Sequence, residues 1–183
     1  MGLRRYMSSD LAQIATLFYD TVHTVNATDY TEEQLDAWAT GNIDYDEWDK
    51  SFQKHLTYVA VEKGQIIGFG DIDDAGYLDR LYVHKDYQGV GVATAICKRL
   101  ESESSVPLMI VHASITAKTF FEKRGYEIIK EQEVNRQNIL LKYYIMQKKW
   151  HCQTLERRVY MRNSEVLTVE RIVSARGLLA SGE

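Results

Sequence analysis

Two glycines and a small residue stand where an apolar, strand-like run gives way to a helical pattern. The segment Gln88-Gly-Val-Gly-Val-Ala93 follows Leu81–Val83 and precedes a stripe of apolar residues at helical spacing. The first amides of a helix have no partner within it, and together with the helix dipole they attract an anion. Gly89 and Gly91 leave the main chain uncovered, and Ala93 keeps the first turn narrow. The pattern indicates a pyrophosphate cradle, although a tight strand–helix turn would also need glycine for its dihedral angles alone.

Two other phosphate-binding motifs do not match this segment. A P-loop requires Gly-x4-Gly-Lys followed by Ser or Thr, and the chain contains no such run. The dinucleotide fingerprint requires a third glycine early in a parallel βαβ unit. Here the third glycine is absent, and the preceding strands are joined by short turns that are typical of antiparallel neighbours.

The elements that must position the glycine turn follow from hydrophobic periodicity. Helical spacing predicts a first helix from residue 11 to 25, and Thr31-Glu-Glu-Gln34 has the form of a capping box that begins a second. The remaining prediction is a short edge strand at 2–7, a helix at 44–55, strands at 56–62, 65–72 and 77–84, a helix at 92–100, a strand at 106–111, a helix at 114–123, and strands near 126–134 and 138–147. The order predicts one mixed α/β domain.

Composition excludes several classes of protein. The 183 residues are 45% hydrophobic with a formal charge of -4, which suits a single domain and argues against a nucleic-acid partner. No signal-peptide pattern and no membrane-length apolar run is present, so a cytoplasmic protein without a membrane partner is expected. Cys97 and Cys152 form no CxxC pair and match no zinc spacing; we expect no metal, and a buried thiol at Cys97.

Two blocks carry a resemblance to a known family. Gln88-x-x-Gly91-x-Ala93 resembles the Gln/Arg-x-x-Gly-x-Gly/Ala signature of the GNAT superfamily, the GCN5-related N-acetyltransferases. Ala113-Ser-Ile-Thr-Ala-Lys-Thr-Phe-Phe-Glu-Lys-Arg-Gly-Tyr126 resembles that family's later helix, and its first residues, with Tyr30–Trp38, are similar to a bacterial branch. The resemblance covers roughly residues 2–149, which defines a domain at 1–149.

Residues 150–183 match nothing in the family. They carry a second helical pattern, and we expect this C-terminal extension to pack on its own sheet or form a homodimer.

The resemblance implies a mostly antiparallel, splayed sheet with helices on both faces, and acetyl-CoA as co-substrate. Main-chain groups of Leu81 and Val83 would contact pantetheine, and the amides from Gln88 to Thr94 would hold the pyrophosphate. Ser114 replaces a usual asparagine, and Lys118 is either near the 3′-phosphate or an ordinary solvated lysine. The implied cofactor-binding set is Leu81, Tyr82, Val83, Gln88, Gly89, Val90, Gly91, Val92, Ala93, Thr94, Ser114, Lys118 and Phe121.

The implied reaction is direct acetyl transfer to a primary amine, which needs a proton acceptor. Tyr77 and Asp79 alternate onto one face of the strand before the glycine turn, where family members often carry a carboxylate base. Asp79 is the candidate base; the alternative is a salt bridge or a polar strand position. Phe121 stands where many members have a tyrosine acid. The departing thiolate must therefore be protonated by water or another group, or leave unassisted.

The acceptor is expected opposite the cofactor, beside the first two helices. His23, Tyr30, Trp38 and Asp71 are the candidates. Core packing for Trp38, solvation for His23 and an exposed hairpin position for Asp71 are the alternatives. The bulky insertion at 26–55 favours a small-molecule amine over a protein lysine or N-terminus, and a CoA-binding module without catalysis is the non-enzymatic alternative.

Overall fold

The computed structural model of the chain describes residues 1–149. Seven strands and five helices make up this part, with short 3-10 turns between some of them. Their bounds are β1 (Gly2–Arg5), α1 (Leu11–Thr24), α2 (Glu32–Trp38), α3 (Tyr45–Lys54), β2 (Leu56–Glu62), β3 (Gln65–Ile72), β4 (Tyr77–Val83), α4 (Val92–Glu103), β5 (Leu108–Ser114), α5 (Ile115–Lys123), β6 (Glu127–Arg136) and β7 (Ile139–Lys149). The predicted C-terminal extension and its role in a homodimer lie outside the described residues.

All seven strands form one sheet in the order β1-β2-β3-β4-β5-β7-β6. Every neighbouring pair is antiparallel except β4 and β5, which run parallel. The short turns at Lys63-Gly64 and Asp74-Ala-Gly76 therefore join antiparallel neighbours, as the sequence predicted. The mixed α/β fold with a mostly antiparallel sheet is confirmed.

Helices cover both faces of the sheet. Helices α4 and α5 pack on one face, where Ile96, Leu100 and Phe121 are buried. Helices α1 to α3 pack on the other, where Ile14 and Phe52 are buried. The capping box predicted for α2 forms: Thr31 accepts from the Gln34 amide, and the Gln34 side chain accepts from the Thr31 amide. These two layers fix the position of β4, the central strand that leads into the glycine turn.

A β-bulge interrupts β4 at Asp79. Asp71 of β3 pairs with Arg80, whereas the next residue, Ile72, pairs with Leu78, so Asp79 is the extra residue. A bulge shifts the alternation of the residues that follow it. As a result Leu81 packs toward the α4 face, and Tyr82 packs on the α1 face.

In the described part of the chain, no helix has both the length and the apolar character needed to cross a bilayer.

Candidate functional site

The sheet opens where β4 and β5 part. Their parallel pairing lasts for two residue pairs, Tyr77 with Ile110 and Leu78 with Val111. Beyond that point the strands diverge, and a cavity of about 180 Å³, here called the split cavity, lies between them. The sheet is therefore splayed at β4, as the resemblance implied.

Main-chain groups of β4 face this split. The His84 amide donates to the Ile67 carbonyl at 2.9 Å, which sets the phase of the ladder between β3 and β4. In an antiparallel ladder the groups of alternate residues point to opposite sides. The amides and carbonyls of Leu81 and Val83 therefore point away from β3, toward the split. The Val83 carbonyl already accepts from Thr21 Oγ1 at 3.2 Å and from Gln88 Nε2 at 2.6 Å, which leaves Leu81 as the more available position.

The glycine turn is uncovered on its outer side. Gly89 and Gly91 have φ of +73° and +94°, and a Cβ at either position would meet nothing within 4 Å. The first hydrogen bond within α4 runs from the Ala95 amide to the Gly91 carbonyl at 2.9 Å. Within residues 1–149, no amide from Gly89 to Thr94 makes a hydrogen bond of normal geometry. The turn thus presents a row of unengaged donors to solvent at the start of a twelve-residue helix.

The side chains of this turn have other positions. The Gln88 side chain turns back to the end of β4, so it braces the loop. Val92 is buried in the core below the turn, while Val90 is 68% exposed. Ala93 lines the split cavity. The side chains of Gln88 and Val92 therefore contact the fold rather than the outer side of the turn.

Helix α5 forms the far wall of the split cavity. Ser114 caps this helix by accepting from the Ala117 amide at 3.1 Å, and it lines the cavity. Phe121 is buried beneath the cavity and contacts Tyr126, with ring centroids 5.1 Å apart. Lys118 does not line the cavity; its ammonium lies 3.6 Å from Glu122 and 4.9 Å from the Tyr144 ring centroid. Phe120, which the sequence prediction omitted, lines the cavity as well.

Two further cavities lie on the α1–α3 side of β4. The inner cavity, about 150 Å³, is bounded by β4, β5 and β7; the outer cavity, about 640 Å³, is bounded by α2, α3, β4 and the β6–β7 turn. Trp38, Asp79 and Tyr82 line both of these and also the split cavity. The three cavities therefore meet at these side chains, and Tyr77 joins them in the inner cavity.

The carboxylate of Asp79 is held by its neighbour. Arg80 Nη2 lies 3.0 Å from Asp79 Oδ2, and the same guanidinium lies over the Phe52 ring at 4.2 Å. This contact fixes one oxygen of the candidate base and leaves the other for the cavity. Tyr82, assigned to the cofactor from the resemblance, lines the split cavity, and its ring lies between Phe18 and Phe69 on the α1 side.

Asp71 does not reach any of the three cavities. It is fully buried, with Oδ2 2.6 Å from His55 Nδ1 and 3.1 Å from Arg80 Nη2. Its charge is therefore used within the fold, and both the acceptor role and the exposed hairpin position expected for it are corrected. The donor atoms of His55, Asp71 and Asp79 lie within 4.8 Å of one another, and Arg80 forms an ion pair with each of the two carboxylates.

We expect Asp71→Ala to lower the free energy of unfolding by about 3–5 kcal/mol, because it leaves the buried Arg80 with an incomplete set of partners. Urea denaturation followed by circular dichroism measures the change. Asp74→Ala is the matched control, since Asp74 is an exposed carboxylate on the same hairpin. A loss as small as that of the control would contradict the structural role.

The remaining acceptor candidates are separated by the structure. His23 lies outside the cavities, where Nε2 is 3.1 Å from Asp36 and the ring stacks on Tyr19. Tyr30 lines the inner cavity, but its hydroxyl donates to the Lys142 carbonyl and accepts from the Ile115 amide. Burial raises the pKa of Tyr30 to about 12, so it remains a neutral phenol. Trp38 is half-buried and faces all three cavities.

Sequence reasoning did not name several residues of these cavities, among them His112 and Arg136. His112 of β5 lines both the split and the inner cavity, between the rings of Tyr77 and Tyr143. Arg136, at the end of β6, lines the inner and outer cavities. An isolated histidine in an apolar strand and an arginine before a turn give no local signal of a site.

Comparison with known proteins agrees with this arrangement. Residues 26–148 match the family model described as an acetyltransferase (GNAT) domain. The chain is 36% identical over 133 residues, 72% of this chain and 85% of the relative, to the uncharacterized N-acetyltransferase YafP of Escherichia coli (strain K12), which confirms the bacterial branch that the sequence indicated. A solved GCN5-related N-acetyltransferase from Rhodopseudomonas palustris superposes with a TM-score of 0.77 at 32% identity, over 81% of this chain and 95% of that one.

More distant structures share the fold. PaiA N-acetyltransferase from Thermoplasma acidophilum, solved in complex with coenzyme A, superposes with a TM-score of 0.65 at 16% identity, over 81% of this chain and 98% of that one. The structure and the comparisons lead to the same family. The sheet is splayed at β4, a glycine turn precedes α4, and the family model matches most of the described domain. The chain belongs to the GNAT family of N-acetyltransferases.

Proposed function

We propose that the protein transfers the acetyl group of acetyl-CoA to a primary amine of a small molecule. The observation that carries this proposal is the continuity of the site: unengaged amides from Gly89 to Thr94 lie at one end of the split, and Asp79 lies at the other. A phosphate-bearing thioester that spans these points would present its acyl carbon to the inner cavity.

The residues present fit the cofactor. The amides of the turn would hold the pyrophosphate, because the positive end of α4 favours an anion there. The Leu81 main chain would pair with the pantetheine amides as an added strand does. Ser114 retains a hydroxyl hydrogen that it can donate, since its oxygen accepts from Ala117. Acetyl-CoA would supply an acyl thioester activated toward nucleophiles.

Asp79 would accept the proton of the attacking amine, directly or through one water molecule. The nitrogen lone pair forms the C–N bond as the C–S bond breaks, the electron pair leaves with sulfur, and the amine proton passes to Asp79. Phe121 has no proton to donate to the departing sulfur. Alkyl thiols are much stronger acids than alcohols, so the sulfur can leave as the thiolate or be protonated by water.

The residues that line the outer cavity favour a small molecule as the acceptor. Trp38 and Trp48, from the segment between α1 and β2, cover this side of β4. An aromatic wall of this kind suits a small molecule, because ligand pockets are lined mainly by hydrophobic and aromatic side chains.

Calorimetry with acetyl-CoA, followed by a thiol-release assay, tests the proposal. We expect binding in the absence of acceptor, and CoA release when small primary amines are added. The acceptor panel should include polyamines, aminoglycosides, amino acids and peptides. No binding at millimolar acetyl-CoA would overturn the proposal, and binding without thiol release for any acceptor would favour a CoA-binding module.

A further inference from the structure

The inner and outer cavities share a cationic side chain that the described chain does not use. Arg136 lines both cavities and stands just before the β6–β7 turn, where Gln137 and Asn138 have positive φ. Within residues 1–149, its guanidinium makes no ion pair and no hydrogen bond. The other cations of these cavities are engaged: Arg80 with Asp71 and Asp79, and Lys142 with Glu131 at 2.7 Å.

The positive charge of Arg136 reaches the interior of the inner cavity. Burial raises the pKa of Tyr82 to about 12, and Arg136 is the largest of the effects that oppose this rise. Burial likewise raises the pKa of Tyr143, against a hydrogen bond with Gln132 and the charge of Arg136. The guanidinium therefore acts on two phenol groups that line the cavity, rather than pointing into bulk solvent alone.

Carboxylates from other elements line the same space. Asp79 of β4 lines both cavities, with one oxygen held by Arg80, and Glu47 of α3 lines the outer cavity. In the part of the chain that the structure describes, the Glu47 side chain makes no ion pair. The cavities thus present both signs of charge, with aromatic surface from Trp38 between them.

We propose that the acceptor is an amine that also carries an anionic oxygen group, a carboxylate or a phosphate, and that Arg136 binds that group. This inference rests on the proposed acetyl transfer and names the substrate class of its site. The acceptor amine lies toward Asp79, and the anionic group lies toward the β6–β7 turn. Arginine suits this role because its planar donors match the two oxygens of a carboxylate or phosphate.

Matched pairs of acceptors test the proposal. L-phenylalanine is compared with 2-phenylethylamine, and O-phosphoethanolamine with ethanolamine, so that each pair differs by the anionic group. We expect kcat/KM for one anionic member to exceed that of its partner by about tenfold or more, the effect of one charge-assisted bond. The first pair reports a carboxylate, and the second a phosphate.

Arg136→Gln should lower the ratio of kcat/KM within the preferred pair by about 10- to 100-fold, and Arg136→Lys should retain part of it. Lys130→Gln is the matched control, because Lys130 is exposed on the same strand and lines none of the three cavities. The ratio in this control should equal that of the wild type.

Direct binding of the four acceptors to the wild type and to Arg136→Gln, with and without CoA, provides a second readout. Two results would overturn this inference. One is a ratio of kcat/KM near one in both pairs that Arg136→Gln leaves unchanged, and the other is acceptor binding that is the same in the wild type and in Arg136→Gln. Acetyl-CoA binding measured without acceptor reports separately on the proposed function, so transfer to neutral amines with no effect of Arg136 would leave that function intact.

Discussion

Gly91→Ala is expected to weaken acetyl-CoA binding by about 10- to 100-fold, since each charge-assisted hydrogen bond to phosphate contributes roughly 1.5–3 kcal/mol. Gly91 has a φ of +94°, and its Cβ position lies in open space on the outer side of the turn. A methyl group there occupies the approach to the unengaged amides. It also favours a different φ, which would turn those amides away from a common point.

Gly64→Ala is the matched control for this effect. Gly64 has a φ of +80° and an equally open Cβ position, but it lies in the turn between β2 and β3, away from the three cavities. Both variants should lose about 1–2 kcal/mol of stability through the strained φ. Calorimetry should show weaker binding for Gly91→Ala alone. Equal affinities in the two variants would show that the turn does not hold the pyrophosphate.

Asp79→Asn is expected to lower kcat/KM by about 10²- to 10⁴-fold, the range for loss of a positioned general base. The amide keeps the shape of the side chain but cannot accept a proton at the reaction centre. Asp79→Glu should recover part of the activity, and acetyl-CoA affinity should change little in either variant. Thiol release with the best acceptor of the panel, with calorimetry in parallel, measures both quantities.

The control for charge is Asp74→Asn, which removes an exposed carboxylate on the turn between β3 and β4. It should change kcat/KM by less than twofold, in keeping with the small effect of exposed charges. If Asp79→Asn matched this control, the base would have to be another group at the split. His112, which lines the split cavity and the inner cavity from β5, would then be the next position to vary.

Asp79 and Asp71 show why neighbouring carboxylates on one hairpin have different expected effects. Asp71 is buried against His55 and Arg80, so its loss is expected to lower stability. Asp79 is the extra residue of the bulge, and it faces the cavities while Arg80 holds one of its oxygens. Arg80 thus joins the core to the candidate base, and a defect in the core ion pair would also loosen the position of Asp79.

Local patterns in the sequence were sufficient for most of the fold. The capping box at Thr31 and Gln34 forms, and the turn at Lys63-Gly64 joins antiparallel strands. The strand after α4 is displaced: residues 106–111 were predicted, whereas β5 spans Leu108–Ser114, and its last residue, Ser114, also caps α5. The glycines at the strand–helix junction were also recognisable from the local sequence. Glycine permits a positive φ and leaves the backbone open, and both properties concern only the few residues of the turn.

The relation between distant segments was decided by the tertiary structure alone. Strict alternation could not place Tyr82, because the bulge at Asp79 depends on the register with β3. Nor could it show that Asp71 would meet His55 and Arg80 in the core. Arg136 reaches the cavities because β6 and β7 form a hairpin that brings its turn beside β4. The sequence by itself determined the elements and the glycine turn before α4, since these follow from local propensity. The cavities and their charges arise from non-local packing, which no short pattern encodes.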